Sequence, residues 1–317
     1  MKNIRYRILS LCFVVICLVA AGWLLPSSAA AWGRGHLYVI GTGPAGPQTA
    51  TLQALDALKR MDAIVAPQKH AELFAAYVGQ KPVLFDPWKD VWDYKGKSMW
   101  NLDREKLAAF KKERFRVRDE RVDKIQTLLA QGKDVGLMDY GNPCLYGPSH
   151  WYAEQFDVED VVIIPGMGCD AAAMAALKKS TIPSYDSHFV MQTSPFSLMQ
   201  WGGDKQSILT DLAKYPSTLI FYMALWKQKE LFKALNASLA PDMPCAVVFW
   251  AGYPEKERIL RGTIADMSDK LSKDTEKFMG LLLVGRFLNG RPYDAAMKQS
   301  QKELEGLQQS RLQGNSK

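Results

Sequence analysis

The most restrictive feature of the chain is a short apolar run that ends in glycines and passes straight into a helical pattern. Leu37-Tyr38-Val39-Ile40 leads into Gly41-Thr42-Gly43-Pro44-Ala45-Gly46, and from Thr49 to Arg60 the residues Leu52, Leu55 and Leu58 recur at helical spacing. A strand turning sharply into a helix is the opening of a crossover unit, which lays the next strand parallel to the first. The alternation continues. Ala63 to Ala66 reads as a strand, Glu105 to Gln131 as a long charged helix or helix pair, and Asp134 to Met138 and Val161 to Ile164 as further strands. This order predicts a mostly parallel sheet covered on both faces. In the second half, Thr218 to Met223, Cys245 to Trp250, Ile259 to Ile264 and Gly280 to Val284 are strand-like, with helices near Gln228 to Leu239 and Ala265 to Leu271. The connection into the Ile259 strand is too short for a helix, so the second sheet is expected to be mixed. The expected fold class is therefore α/β, with an N-terminal domain over 32–167, a C-terminal domain over 168–292 and a polar tail over 293–317 that frays.

A length of 317 residues suffices for two such domains, and 48% hydrophobic with 23% charged residues excludes a disordered or collagen-like chain. The N-terminus is a separate matter. Lys2, Arg5 and Arg7 precede an uncharged apolar stretch from Ile8 to Leu25, and Pro26, Ser27, Ser28, Ala29, Ala30 and Ala31 follow. Basic, apolar, then small is the order of an export signal. The stretch also approaches the length that spans a bilayer, so residues 1–31 are expected to be either a signal peptide or a membrane anchor. In both cases the domain lies outside, periplasmic or extracellular, and touches the membrane only through this segment. Loss of the leader lowers the net charge from +7 to +4, which gives nucleic-acid binding little support. Cys12 and Cys17 leave with it; Cys144, Cys169 and Cys245 are too few and too scattered for a disulfide framework.

The glycine loop fits G-x-G-x-x-G between a strand and a helix, with Asp62 placed 21 positions after Gly41, so a nicotinamide dinucleotide site has to be weighed. Two details oppose it. Pro44 and Pro47 remove backbone donors that a pyrophosphate would use. Asp62 precedes its strand, whereas a ribose-binding acid stands at the strand's far end.

Further motifs lie in order along the chain. Asp134-Val135-Gly136-Leu137-Met138 runs into Gly141-Asn142-Pro143-Cys144-Leu145-Tyr146-Gly147, and Ile163-Ile164-Pro165-Gly166 precedes an alanine-rich helix at Ala171 to Ala176. Together with the opening Leu37-to-Pro44 segment, Thr218 to Met223, Pro244 to Ala251 and Arg261-Gly262-Thr263-Ile264, these resemble the tetrapyrrole (corrin/porphyrin) methylase family across roughly 36 to 290. The resemblance implies two α/β domains with a ligand cleft between them, a homodimer, and S-adenosylmethionine as methyl donor. It implies donor contacts at Pro44, Tyr140, Gly141, Asn142, Leu145, Gly168, Cys169, Met223 and Ala251, and a tetrapyrrole-like small-molecule acceptor. Transfer from a sulfonium needs fixed geometry and exclusion of water more than a charged triad, which suits loops of small residues.

The chain also departs from the family pattern. Ala45-Gly46 stands where a Gly-Asp is common, Asn142 replaces the acid of the G-D-P turn, and Pro67 occupies the place of another family acid. Candidate catalytic residues are Asp139, which otherwise reads as a solvated strand-end carboxylate, and His188, which otherwise reads as a loop histidine. Phe85, Trp88, Trp92, Tyr94 and Trp100 among Lys89, Lys95 and Lys97 suit either a flat carboxylated macrocycle or a loop pinned by its own aromatics. The basic run from Lys111 to Arg121 is interleaved with acids and reads as a solvated helix face. The four histidines are too scattered to suggest a metal site. Two functions stand at this point: a methyltransferase on a tetrapyrrole or corrinoid, or an exported, degenerate binding protein that keeps the methylase fold.

Overall fold

A computed structural model describes residues 33–182, 187–200 and 205–314. The expected export segment at 1–31, and Ser184 to Asp186 before His188, lie outside the described residues. Among those described, no helix is long and apolar enough to cross a membrane. The chain forms two compact units that interleave in sequence. Of the described residues, one takes 33–40, Asp56–Met138 and Ser149–Ile164; the other takes Gly41–Leu55, Asp139–Pro148 and those described after Ile164.

The first unit is built on a four-stranded sheet. Strands β1 (Leu37–Gly41), β2 (Ala63–Val65), β5 (Val135–Asp139) and β6 (Val161–Ile164) take the order β2-β5-β1-β6, while β3 (Asp93–Tyr94) and β4 (Lys97–Ser98) form a small separate hairpin. β1 runs parallel to β6 with Leu37 beside Val161, and β2 parallel to β5 with Ala63 beside Val135. Leu37, Val39, Val65, Val135 and Leu137 project onto one face, where Val122, Ile125 and Leu129 of the helix Arg104–Ala130 cover them. That helix is single and 27 residues long, capped by the Asp103 carboxylate on the Lys106 N–H. Phe85, Trp88, Trp92 and Tyr94 of the aromatic stretch pack on side chains of this unit. Phe85 and Trp88 pack on the same core, Tyr94 leans on Phe110, and the buried Arg121 donates to the carbonyls of Pro87 and Lys89. Asp62 accepts from the Asp134 N–H, a bond that ties two strand entrances together.

The second unit carries a mixed sheet, as its connections require. Strands β7 (Phe189–Thr193), β8 (Ser217–Phe221), β9 (Pro244–Phe249), β10 (Arg258–Thr263) and β11 (Gly280–Val284) take the order β10-β9-β11-β8-β7. β7 and β8 are parallel; the other pairs are antiparallel. Residues alternate between two cores with the period of two that a pleat imposes. Phe221, Val247, Phe249 and Leu282 meet the helices Gln228–Ser238 and Ile264–Ser272, whereas Ile220, Ala246, Val248 and Leu283 meet the alanine-rich helix Cys169–Leu177. Burial on both faces explains why the β9 sequence is apolar throughout. Strand β7 and the helices Pro195–Gln200 and Lys205–Ala213 add elements beyond those read in the sequence.

One expectation fails at the C-terminus. The described part of the expected frayed tail is ordered: Pro292–Gly314 is a helix. It carries i, i+4 pairs, Asp294 with Lys298, Gln299 with Glu303 and Gln301 with Glu305, and among its described side chains Met297, Leu304 and Leu307 are exposed.

Candidate functional site

Three loops of the second unit meet where β1, β5 and β6 end. The turn after β1 and the turn after β5 form a bridge between Gly43 and Gly141, with the Gly141 N–H donating to the Gly43 carbonyl at 3.0 Å. The Thr42 N–H and hydroxyl both donate to the Asp139 carbonyl, at 2.9 and 2.8 Å. Main chains touch so closely that side chains have no place between them. A Cβ built on Gly41 would stand 2.5 Å from the Gly166 nitrogen and 2.6 Å from Pro143 Cδ, and one on Gly166 would overlap the Gly141 carbonyl oxygen. Gly141 is the contrast. Its φ of 70° is a conformation glycine favours, and a Cβ built there meets only the Met167 carbonyl oxygen, at 3.9 Å. The loops are locked to one another, and the space above Gly141 is open.

The nine residues proposed as donor contacts all fall in this unit. Pro44 is buried in the glycine loop, whose Ala45 and Thr49 approach Gly252, the residue after Ala251. Leu145, Cys169 and Met223 pack on the hydrophobic cluster that contains Ala251. Gly168 is the N-cap of the helix Cys169–Leu177, and the space over it is bordered by Asn142. Tyr140 is half exposed. Asn142 differs from its expected use. Its Oδ1 accepts from the Cys144 N–H at 3.0 Å, so the oxygen that survives the loss of the family acid is engaged in its own turn. Tyr146, Met223 and Trp250 have φ of 56°, 55° and 51°. Such left-handed non-glycine residues cost about 1–2 kcal/mol each, and their gathering beside Leu145 and Ala251 is the kind of strain that functional sites hold.

The two catalytic candidates separate. Asp139 is 3% exposed at the end of β5, so its reading as a solvated strand-end carboxylate is corrected: the loops close over it. His188 is exposed and bound through its backbone to Pro216, at the entrance of β7. Met223 lies beyond the exit of β8, which runs parallel to β7, so a strand length of roughly 17 Å separates the histidine from the loops. The structure does not bring His188 to the other site residues.

Two groups at the loops escaped the sequence reading. The Tyr222 hydroxyl is buried without a hydrogen-bond partner, and its ring leans on Tyr146 with centroids 5.3 Å apart. Asp170, in the first turn of the alanine-rich helix, folds its carboxylate over Gly168. Burial first, and Asp170 second, push the Cys169 thiol up to about 12, so it stays protonated. Among the described residues no cluster of side chains is suited to hold a metal ion. Chemically the arrangement offers an open position edged by peptide groups and small residues, with the Asp170 carboxylate near it and a protonated Cys169 thiol.

Comparison with known proteins gives this arrangement a context. The sequence profile of the tetrapyrrole (corrin/porphyrin) methylases matches residues 36–268. Cobalt-precorrin-4 C(11)-methyltransferase of Methanocaldococcus jannaschii is 27% identical over 259 residues, which cover 80% of this chain and 89% of that protein. The X-ray structure of a cobalt precorrin-4 methyltransferase shares the fold with a TM-score of 0.63 at 24% identity, covering 84% of this chain and all of that one. Uroporphyrin-III C-methyl transferase from Thermus thermophilus, complexed with S-adenyl homocysteine, shares it with a TM-score of 0.55 at 18% identity, over 80% of this chain and 99% of that one. With its ordered motifs, its parallel and mixed sheets and a profile match over most of its length, the chain belongs to the tetrapyrrole (corrin/porphyrin) methylases.

Proposed function

We propose that the chain is an S-adenosylmethionine-dependent methyltransferase whose acceptor is a tetrapyrrole- or corrinoid-like macrocycle. Family membership supports the reaction class, and the names of the relatives support the acceptor class. The bound S-adenyl homocysteine of the Thermus neighbour supports the donor. The observation that carries the reading is the open position above Gly141, framed by loops too tightly packed to close it. A ligand with much polar surface fits a wall of peptide groups, and only small residues let it come so close.

When bound, the donor supplies an electrophilic methyl group and its own leaving group. The chain's residues hold and orient it. In this reading Gly141, Asn142 and Gly168 present main-chain groups, while Pro44, Leu145, Met223 and Ala251 give apolar contact and keep water out. Cys169 has a further part. A thiolate beside an electrophilic methyl would be alkylated, and the raised pKa of this thiol keeps it inert.

Calorimetric titration of the full chain with S-adenosylhomocysteine tests the reading: one saturable site is expected, and silence would overturn it. Labelled methyl transfer to a panel of reduced tetrapyrroles then names the acceptor. The degenerate binding-protein alternative draws no support from the relatives, which are named as methyltransferases. Export by residues 1–31 and a homodimer complete the proposal. N-terminal sequencing of membrane and soluble fractions tests the first, and light scattering the second.

A further inference from the structure

The acids common in the family's glycine loop and G-D-P turn are absent here, replaced by Ala45-Gly46 and Asn142. A carboxylate nevertheless stands at the loops. Asp170 is half buried, and its Oδ1 fills the space directly over Gly168, so that a Cβ on Gly168 would overlap it. The same Cβ position is 3.9 Å from Asn142 Cβ, on the turn that lost its acid. An aspartate in a helix's first turn favours the helix dipole, and that alone would account for Asp170. It does not account for Tyr222. This side chain is 9% exposed, immediately precedes the left-handed Met223 and buries a hydroxyl that has no partner. Burial first, and the charge of Asp170 second, raise its pKa, so the phenol keeps its proton and remains a donor. A buried donor without an acceptor is costly, and a neighbouring carboxylate that can turn towards it relieves that cost.

We propose that Asp170 accepts hydrogen bonds from the vicinal hydroxyls of the methyl donor's ribose, and that Tyr222 is the positioning residue that aims this carboxylate by donating to it. The inference rests on the methyl-donor reading above. A carboxylate beside a vicinal diol is the usual match in nucleotide sites, and the helix N-terminus already balances the charge of Asp170, so the group it holds need not be a cation.

The test compares S-adenosylhomocysteine with its 2′,3′-dideoxy analogue by calorimetry on the full chain. For the unaltered protein, removal of the hydroxyls is expected to weaken binding about 10- to 100-fold. Asp170→Ala should bind S-adenosylhomocysteine weaker by that factor yet bind the dideoxy analogue as before, which also shows that the variant is folded. Tyr222→Phe should lose a smaller factor, again only with the hydroxylated ligand; a purely structural role would weaken both ligands alike. The proposal fails if Asp170→Ala still prefers the hydroxylated ligand, or if the unaltered protein binds the two equally. Binding of neither ligand would instead overturn the methyl-donor reading itself, and this inference with it.

Discussion

The glycine loops at Gly41, Gly141 and Gly166 and the aromatic stretch from Phe85 to Trp100 both carry residues suited to a ligand, yet they are built in opposite ways. In the aromatic region the side chains pack on one another. The Arg114 guanidinium lies 5.1 Å from the Trp92 ring centre and 4.8 Å from that of Trp151, while Arg118 stacks on Phe115 and bonds Asp119. Such stacked cations already face aromatic rings, as they would on a macrocycle, while Arg114 Nε is buried without a hydrogen-bond partner among the described residues. In the loops it is the main chain that satisfies itself, and the missing side chains leave room. Richness in attractive side chains therefore closed one region, and poverty in them opened the other.

That contrast can be broken or sharpened by substitution. The largest effect is expected from Gly41→Ala, whose Cβ has nowhere to go between Gly166 and Pro143. A loss of about 4 kcal/mol, or failure to fold, should appear in denaturant unfolding. In the first unit the largest lever is His70, 1% exposed and lowered by burial to about 4. Because the fold prefers the neutral ring, its contribution is complete above the ordinary pKa of 6.5 and is lost as the pH falls from there to about 4. Roughly 3 kcal/mol of acid sensitivity follows, and unfolding curves of His70→Leu against pH should be flatter by that amount.

Gly141→Leu comes next. Its positive φ costs about 1–2 kcal/mol for any side chain, but the larger change should be a loss of S-adenosylhomocysteine affinity beyond ~100-fold, read by calorimetry. Undiminished affinity would remove the site from Gly141. Arg114→Ala should cost about 1 kcal/mol of stability through lost stacking and leave that affinity unchanged. A weaker complex in this variant would mean that the aromatic region serves the ligand after all. The smallest effect is expected from Asn142→Asp, which keeps the acceptor for the Cys144 N–H and restores the family acid; thermal unfolding should register less than about 0.5 kcal/mol.

Much of the architecture was legible because period and punctuation agree in it. The runs at Val161 to Ile164 and Gly280 to Val284 are strands with those bounds, and the glycine and proline motifs sit at the strand ends where the candidate site lies. Strand β7 was not legible: it lies at the sheet edge, Phe189 and Gln192 are exposed, and its pattern lacks a buried face. The helix Pro292–Gly314 was hidden for a similar reason, since its described apolar side chains Met297, Leu304 and Leu307 are exposed and polar i, i+4 pairs run along it. Asp170 looked like an ordinary first-turn acid before an alanine run, and only the fold sets it beside Tyr222, 52 positions away. The burial of Asp139 likewise depends on a loop almost a hundred residues earlier, through the pairing of Thr42 with its carbonyl.

The helix Cys169–Leu177 shows its alanines, with Ala172 and Ala173 buried, to the sheet face bearing Ala246 and Val248. Alanine on both sides fixes a short distance between helix and sheet, and Gly168, Cys169 and Asp170 ride on the end of that helix. Interior volume and the position of that helix end are thus adjusted by the same few methyl groups. A methylene added at Ala173 would lift the whole helix end, so substitutions made deep in this core should be felt as altered grip at the rim before they are felt as lost stability.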